Sequence, residues 1–303
     1  MKTTKSAAIL WAVLAAALYA ISAPLSKVLL NEIPPTMMAA LLYLGAGLGM
    51  SVIGLFRNKA GRLKQELKLT RKEMPFTVGM VALDIAAPVL LMIGLTTTTP
   101  ATVSLLNNFE IVATSLIALI IFKEVINRRL WIAIGLITLA SVILSVEDIG
   151  SVSFSLGSIF VLLAAVCWGL ENNFTRMLSD KDPLQIVVIK GFGSGLGSLL
   201  ISFIIGESGD TGNVIYILAT LLLGFVAYGL SIYLYVYAQR YLGAAKTSAY
   251  YAISPFIGAG LSFAIFLKTP TISFIVALFF MIIGTYFAST EGKASEKNNS
   301  FEQ

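Results

Sequence analysis

Apolar residues fill most of the chain in blocks about twenty residues long, and short polar connections separate the blocks. An α-helix of that length spans a hydrocarbon core of ~30 Å. The pattern therefore predicts an all-α polytopic membrane protein with ten transmembrane helices, which we call spans 1 to 10. They are predicted at residues 7–30, 36–56, 75–96, 101–122, 130–147, 156–178, 184–205, 214–238, 247–267 and 271–289.

The two halves of the chain match each other. Pro35 begins the pattern P-x9-G-A-G-L-G, and Pro183 begins P-x9-G-S-G-L-G, 148 residues later. At an offset of 144, residues 101–115 lie over residues 245–259, so spans 1–5 correspond to spans 6–10. Because five is odd, the second copy must cross the membrane in the opposite direction. Such inverted repeats place a binding site near the midplane between the halves.

Charge is sparse and unevenly distributed. Charged residues make up 12% of the chain, against about 25% in soluble proteins, and the net charge is +5. Most Lys and Arg lie in the loops that share a side with both termini, which predicts a plasma-membrane protein with both termini in the cytoplasm. This role explains the positive charge without a nucleic-acid partner. We predict five-helix halves at 1–150 and 151–290 and a disordered cytoplasmic tail at 291–303.

The chain has no His, and its only cysteine is Cys167. This composition excludes disulfide frameworks, zinc sites and Ser-His or Cys-His nucleophile pairs. No G-x4-G-K-[ST] segment for ATP is present. We therefore expect no cofactor and no enzyme activity, and an integral membrane enzyme is only a remote alternative.

Several segments resemble the EamA family of the drug/metabolite transporter superfamily. They are WGLENNFTR at 168–176, YVYAQRYLGAA at 235–245, the glycine-rich spans 2 and 7, and the Ile-Ser-Pro turn of span 9. The resemblance implies two five-helix bundles around a central cavity, alternating access and usually export of amino acids, other metabolites or organic cations. Family members often have Glu-Pro in span 4. Here the pair is Glu110-Ile111, and the proline is present only in the other copy, as Pro255.

Four ionisable side chains lie inside otherwise apolar spans. A charge near the bilayer centre costs ~2.5–3.5 kcal/mol on insertion scales, so such a group must find a partner, line water or be neutral. Glu171 on span 6, Lys190 on span 7 and Asp84 on span 3 reach similar depths. One interpretation is a structural ion pair between Glu171 and Lys190. In the other, one acid is left for a proton or a substrate ammonium, and Asn172 holds polar substrate groups.

Span 4 carries a polar stripe at helical spacing that includes Asn107 and Glu110, with Glu110 near the midplane. Shifted by 144 residues, these positions become Tyr251 and Ser254 of span 9. We expect the two stripes to face each other as cavity walls. The alternative is ordinary helix packing, in which Asn107 and Thr114 satisfy Glu110. A carboxyl group at this depth could carry a proton or pair with a substrate cation.

Two deep tyrosines complete the candidate site. Tyr228 corresponds to Asp84 in the other copy, and together with Tyr251 it could contact an aromatic or cationic substrate. Core packing is the alternative for each ring. The candidate substrate-binding or coupling residues are Asp84, Asn107, Glu110, Trp168, Glu171, Asn172, Lys190, Tyr228, Tyr251 and Ser254.

These features predict a secondary active transporter of a small metabolite that works by alternating access. The family resemblance favours export of amino acids or related amine-bearing metabolites. An organic-cation or drug efflux carrier and a sugar uptake permease are the alternatives. The expected partners are a small-molecule substrate, a proton or sodium ion for coupling, and the lipid bilayer. The sequence carries no signal for an oligomeric state.

Overall fold

The protein is described by a computed structural model over residues 5–59, 69–123, 125–148, 153–178, 181–207, 213–242, 247 and 250–289. In these residues, nine helices are long and apolar enough to cross a membrane, and Ser254–Phe266 is a shorter apolar helix. The predicted tail at 291–303 lies outside the described residues.

Consecutive helices form the ten spans of two five-helix repeats. Spans 1, 4 and 8 consist of successive helical segments, and a 3-10 turn, Arg71–Glu73, precedes span 3. In chain order the helices are Lys5–Ala20 and Ser22–Leu29 (span 1), Pro35–Lys59 (2), Met74–Thr97 (3), Pro100–Leu106 and Phe109–Phe122 (4), Arg128–Ser145 (5), Leu156–Arg176 (6), Pro183–Ile204 (7), Val214–Leu223, Gly224–Leu230 and Ser231–Leu242 (8), Ser254–Phe266 (9) and Ile272–Ser289 (10).

A short β-ribbon lies between span 5 and span 6. Strands Val146–Asp148 and Ser153–Phe154 pair antiparallel, with Val146 opposite Phe154. The helix of span 5 therefore ends at Ser145, two residues before the predicted boundary at residue 147. Val146 has extended backbone angles, φ −80° and ψ 122°, because its segment pairs with the ribbon instead of continuing the helix.

The packing of the spans follows the repeat. Span 2 packs against span 7, span 4 against span 9, and span 5 against span 10. Span 3 packs against span 6, and the equivalent pair, span 8 and span 1, also packs together. Exchanging the two halves thus returns the same set of helix pairs. The core lies largely between the halves, so side chains of both repeats meet at the centre.

Spans 2 and 7 cross at very short range. A Cβ atom on Gly191 would lie 2.4 Å from both Cα and N of Gly47, and 2.9 Å from the carbonyl oxygen of Tyr43. Only glycine leaves room for backbones this close, which is how small residues act at helix crossings in membranes. The two glycine-rich segments therefore meet at the boundary of the repeats.

Replacing Gly191 with Ala should lower the midpoint of thermal unfolding in detergent. The added methyl group meets backbone atoms that cannot rotate away, and overpacking of this kind costs about 1–3 kcal/mol. Gly135→Ala is the matched control, because a Cβ on that helical glycine of span 5 would meet no atom within 4 Å. Equal midpoints for the two variants would contradict the tight crossing.

Three spans are interrupted at the same level of the fold. Span 1 breaks at Ile21, span 4 at Asn107–Asn108, and span 9 just before Ser254. At the span 4 break, the N–H of Glu110 donates to the carbonyl of Asn107 at 3.1 Å, which tightens the turn to i→i−3 bonding. The break occurs without the proline that Pro255 supplies in span 9.

Candidate functional site

A buried charged cluster joins the two halves. Lys190 Nζ lies 2.9 Å from Glu171 Oε1 and 3.3 Å from Asp84 Oδ2. Asp84 is 0% exposed, Glu171 2% and Lys190 7%. Apart from this ion pair, Asp84 Oδ2 has no hydrogen-bond partner among the described residues. Since Asp84 belongs to the first repeat and the other two to the second, the cluster spans the boundary between them.

Hydroxyl groups donate hydrogen bonds to both carboxylates of the cluster. The hydroxyl of Tyr43 donates to Asp84 Oδ1 at 3.0 Å. The hydroxyl of Thr175, one turn along span 6, donates to Glu171 Oε1. Two acids thus share one ammonium group, and hydroxyl donors supply the remaining contacts. Fully ionised, these two acids and one base would carry a net charge of −1.

Glu110 forms a second polar contact between the halves. Asn172 Nδ2 donates to Glu110 Oε1 at 2.5 Å and to Thr114 Oγ1 at 3.3 Å. Asn173 Nδ2 donates to the carbonyl oxygens of Thr114, at 3.2 Å, and of Gly169, at 2.8 Å. The partner of Glu110 therefore comes from span 6, not from Asn107 on its own helix. Glu171 and Asn172, adjacent in sequence, face different neighbours: spans 3 and 7 for one, and span 4 for the other.

The region holds more acid than base. Glu110 accepts its hydrogen bond from the neutral amide of Asn172, the sequence neighbour of Glu171. Among the described residues, these contacts between the halves thus include three carboxyl groups, Asp84, Glu110 and Glu171, and one ammonium group, that of Lys190. An uncompensated charge within a membrane span is costly, so the excess acid favours a bound proton or an attracted cation.

Tyrosine rings continue the site from the charged cluster. The ring centroids of Tyr43 and Tyr228 are 5.4 Å apart, those of Tyr228 and Tyr19 5.8 Å, and those of Tyr19 and Tyr251 6.0 Å. These distances are typical of interacting aromatic pairs. Trp168 packs in the same buried core as Tyr43 and Tyr228. The rings therefore form a connected wall that leads from Asp84 to the cavity described next.

Residues that correspond in the two repeats make corresponding contacts between spans. Tyr228 takes the position of Asp84 and Ser22 that of Glu171. Where Asp84 and Glu171 share Lys190, the Ser22 hydroxyl donates directly to the Tyr228 hydroxyl at 3.2 Å. The scaffold thus repeats, while the charged groups occur where span 3 meets span 6 and are replaced by hydroxyl groups where span 8 meets span 1.

A small cavity opens where the three spans are interrupted. Asn107 Oδ1 and the Ser254 hydroxyl, which line it, have no hydrogen-bond partner among the described residues, and Ser254 is 1% exposed. The cavity has room for about one water molecule in this conformation, so it must widen to admit a substrate. Its lining residues are Tyr19, Ala20, Ser22, Ala23, Leu91, Ser104, Asn107, Ser254 and Pro255.

The structure thus brings the sequence candidates into two adjoining groups. Asp84, Glu171 and Lys190 meet directly, and Glu110 meets Asn172. Asn107 and Ser254 line the cavity, with Tyr228, Tyr251 and Trp168 in the surrounding wall and core. Sequence analysis missed Tyr19, Ser22, Tyr43 and Thr175. The repeat alignment carried a signal for two of these, since Tyr19 lies over Trp168 and Ser22 over Glu171.

Comparison with known proteins gives the family. The model of the EamA-like transporter family matches the chain twice, at residues 6–146 and 155–290. A relative from Methanothermobacter thermautotrophicus, described as an uncharacterized transporter, is 26% identical over 292 residues, which cover 91% of this chain and 84% of the relative. A solved crystal structure shares the fold with a TM-score of 0.67 and 17% identity, over 94% of this chain and 96% of the other. The repeated helical fold, the polar centre and the family match together show that the chain belongs to the EamA-like transporter family.

Proposed function

We propose that this membrane transporter is a secondary active carrier that exports a small amine-bearing metabolite in exchange for protons. The observation that carries the proposal is the excess of acid among the described residues at the boundary of the halves: Asp84 and Glu171, both buried, share Lys190, while the partly buried Glu110 receives a hydrogen bond from the neutral amide of Asn172. Such a site is completed by one positive species, either a proton or an organic ammonium group.

The cavity offers a substrate amine the contacts it needs. Asn107 Oδ1 and the Ser254 hydroxyl have no hydrogen-bond partner within the described part of the chain, and Glu110 lies one turn beyond Asn107 on the same span. An ammonium group brings up to three N–H donors, which matches this acceptor-rich lining. Tyr19, whose ring lines the cavity, adds a face for cation–π attraction.

Competition at one carboxyl group would couple the two fluxes. A proton and an ammonium group cannot both neutralise Glu110, so each displaces the other. A proton that enters from the outside would release the amine, and an amine that enters from the cytoplasm would release the proton. This exclusive occupancy is the physical basis of exchange, provided that the cavity opens to one side at a time.

The tyrosine wall favours a second candidate, an organic-cation efflux carrier. Four connected rings beside acidic groups would suit a bulky aromatic or methylated cation as well as a primary amine. The two candidates share the carboxyl chemistry and differ in substrate size and in the number of N–H donors. A sugar would leave the excess acid without a counter-charge, so uptake of a sugar is the less favoured alternative.

Reconstituted liposomes that contain a pH-sensitive dye test the proposal. Amino acids, other primary amines, quaternary organic cations and sugars are added in turn, with and without a pH gradient. We expect amines to move protons in the direction opposite to their own flux. Proton movement with quaternary cations alone would select the efflux carrier. Flux of every active substrate without proton movement would refute proton exchange.

A further inference from the structure

A carboxylate of the second half holds the first turn of span 2. Glu207 Oε2 accepts from the backbone N–H groups of Thr36, at 2.8 Å, and Met37, at 3.1 Å, and its Oε1 accepts from the Thr36 hydroxyl at 3.2 Å. The first N–H groups of a helix have no partner within it, and they attract negative charge. We call these three bonds the Glu207 latch. It joins the loop after span 7 to the opposite repeat.

A corresponding set of contacts lies at the start of span 7. Gln185 Oε1 accepts from the N–H of Leu69 at 3.1 Å, and Lys181 Nζ lies 3.1 Å from Glu73 Oε1. We call these two contacts the Gln185 latch. They join the first turn of span 7 to the segment that leads into span 3, again across the two repeats.

The two latches occupy repeat-equivalent positions on opposite faces. The offset of 148 between spans 2 and 7 places Met37 over Gln185. The loop after span 7, which carries Glu207, likewise corresponds to the connection after span 2, which carries Leu69 near its end. Since the second repeat is inverted, the Gln185 latch lies on the N-terminal face of the protein and the Glu207 latch on the opposite face.

The glycine crossing lies between the latches. Met37 is about 15 Å along span 2 from Gly47, and Gln185 is about 9 Å along span 7 from Gly191, at a rise of 1.5 Å per residue. Close glycine contacts in membranes let helix backbones approach without interlocking side chains. Spans 2 and 7 thus contact each other near their glycines, and the first turn of each span is bonded to the other half of the protein.

From this arrangement we propose that the two latches are the alternating gates of the transporter. Both are engaged in this structure, which accords with a central cavity that admits about one water molecule. Release of the Glu207 latch opens the face that carries it, and release of the Gln185 latch opens the N-terminal face. The proposal deepens the proposed function, on whose alternating access it rests.

The latch bonds are suited to breaking and re-forming. All five involve polar groups near helix starts. The side chains of Glu73, Lys181, Gln185 and Glu207 are partly exposed, whereas the donors Thr36 and Met37 are buried at the start of span 2. At a membrane edge such groups can exchange their partners for water at small cost. The buried charged cluster cannot do so, because Asp84 and Glu171 have no access to water in this conformation.

Cysteine labelling tests the gates independently of transport. In a Cys167→Ser background, Ser104→Cys places one thiol in the cavity wall. A membrane-impermeant thiosulfonate reagent is then applied to each face of oriented vesicles. Glu207→Ala should raise the labelling rate at least about tenfold from its own face only, as expected when bonds to a charged group are lost. Lys181→Ala combined with Gln185→Ala should do the same from the N-terminal face only.

Two controls separate gating from loose packing. Glu32→Ala removes an exposed carboxylate from the face of the Glu207 latch, and Lys72→Ala removes an exposed ammonium near the Gln185 latch. Both should label like the parent. Glu207→Gln, which keeps the side-chain size, replaces Glu207→Ala if that variant does not fold. It should give a smaller rise from the same face.

The outcomes test the proposed gates and the proposed function separately. Unchanged labelling in both folded latch variants, or a rise from both faces in either, would overturn the gates. Side-specific labelling in a protein that moves no amine would support the gates and reject the proposed substrate. Proton-coupled amine flux without side-specific labelling would support the proposed function and reject the gates.

Discussion

Glu110→Gln should reduce substrate-driven proton movement to the level of empty liposomes while the protein stays folded. Glutamine keeps the Oε1 acceptor that receives the 2.5 Å hydrogen bond from Asn172, and it has nearly the same size. It cannot bind or release a proton, and it cannot neutralise an ammonium group. If Glu110 is the exchange carboxyl, the loss is complete, not graded. The measurement is the dye signal after addition of an amine that is active with the parent protein.

Glu32→Gln is the matched control, because it makes the same chemical change at an exposed position. It should leave the proton signal unchanged. Amine flux should be measured in parallel with radiolabelled substrate. Amine flux without proton movement in Glu110→Gln would keep Glu110 as the proton-binding group but would contradict direct competition between the proton and the amine at this carboxyl. A proton signal equal to that of the parent would transfer the role to Asp84 or Glu171.

The fold could be predicted from the sequence because the bilayer restricts the choices. Apolar blocks of helical length, an internal repeat and an odd number of spans per copy define two inverted five-helix units. Helix ends and local irregularities within the spans could not be predicted in this way. The end of span 5 depends on pairing between Val146 and Phe154, a contact that no periodicity reveals. The π-helical segment Gly224–Leu230 in span 8 is likewise set by packing, since Gly224 lies against the backbone of Leu42 on span 2.

The candidate site was predictable where charge interrupts apolar sequence. Asp84, Glu171 and Lys190 stand out because each is costly in a membrane, and their similar depths indicated contact. The partner of Glu110 was not predictable, since Asn107 and Asn172 both lie within a plausible distance and only tertiary packing selects Asn172. Tyr43 carried no signal either, because a tyrosine in an apolar span usually marks packing or an interface.

The break in span 4 shows why a motif alone was a weak guide. Without a proline at position 111, the sequence left the helix geometry at Glu110 undecided. The turn at Asn107–Asn108 nevertheless matches the interruption before Ser254 in span 9. The packing of span 4 against span 9 thus preserves in both copies a break that only one copy encodes with Pro255. As a result, polar groups from both halves reach the cavity.

Lys190→Met should be the most destabilising single change in the charged cluster. It removes the ammonium group that lies within 3.3 Å of two carboxylates and leaves Asp84 and Glu171 buried with no counter-charge. Removal of one partner from a buried ion pair costs about 3–5 kcal/mol. We expect a large fall in the thermal unfolding midpoint in detergent, or a sharp loss of folded protein.

Neutralising all three groups provides the decisive comparison. The triple variant Lys190→Met, Asp84→Asn, Glu171→Gln retains similar volumes and carries no buried charge at these positions. Replacement of a whole buried ionic cluster is often neutral or stabilising, so the triple variant should recover most of the lost stability. Recovery would show that the lysine is required because of the two acids it neutralises. A triple variant as unstable as Lys190→Met would mean that the cluster stabilises the boundary of the halves through its specific hydrogen bonds, including the one from Tyr43.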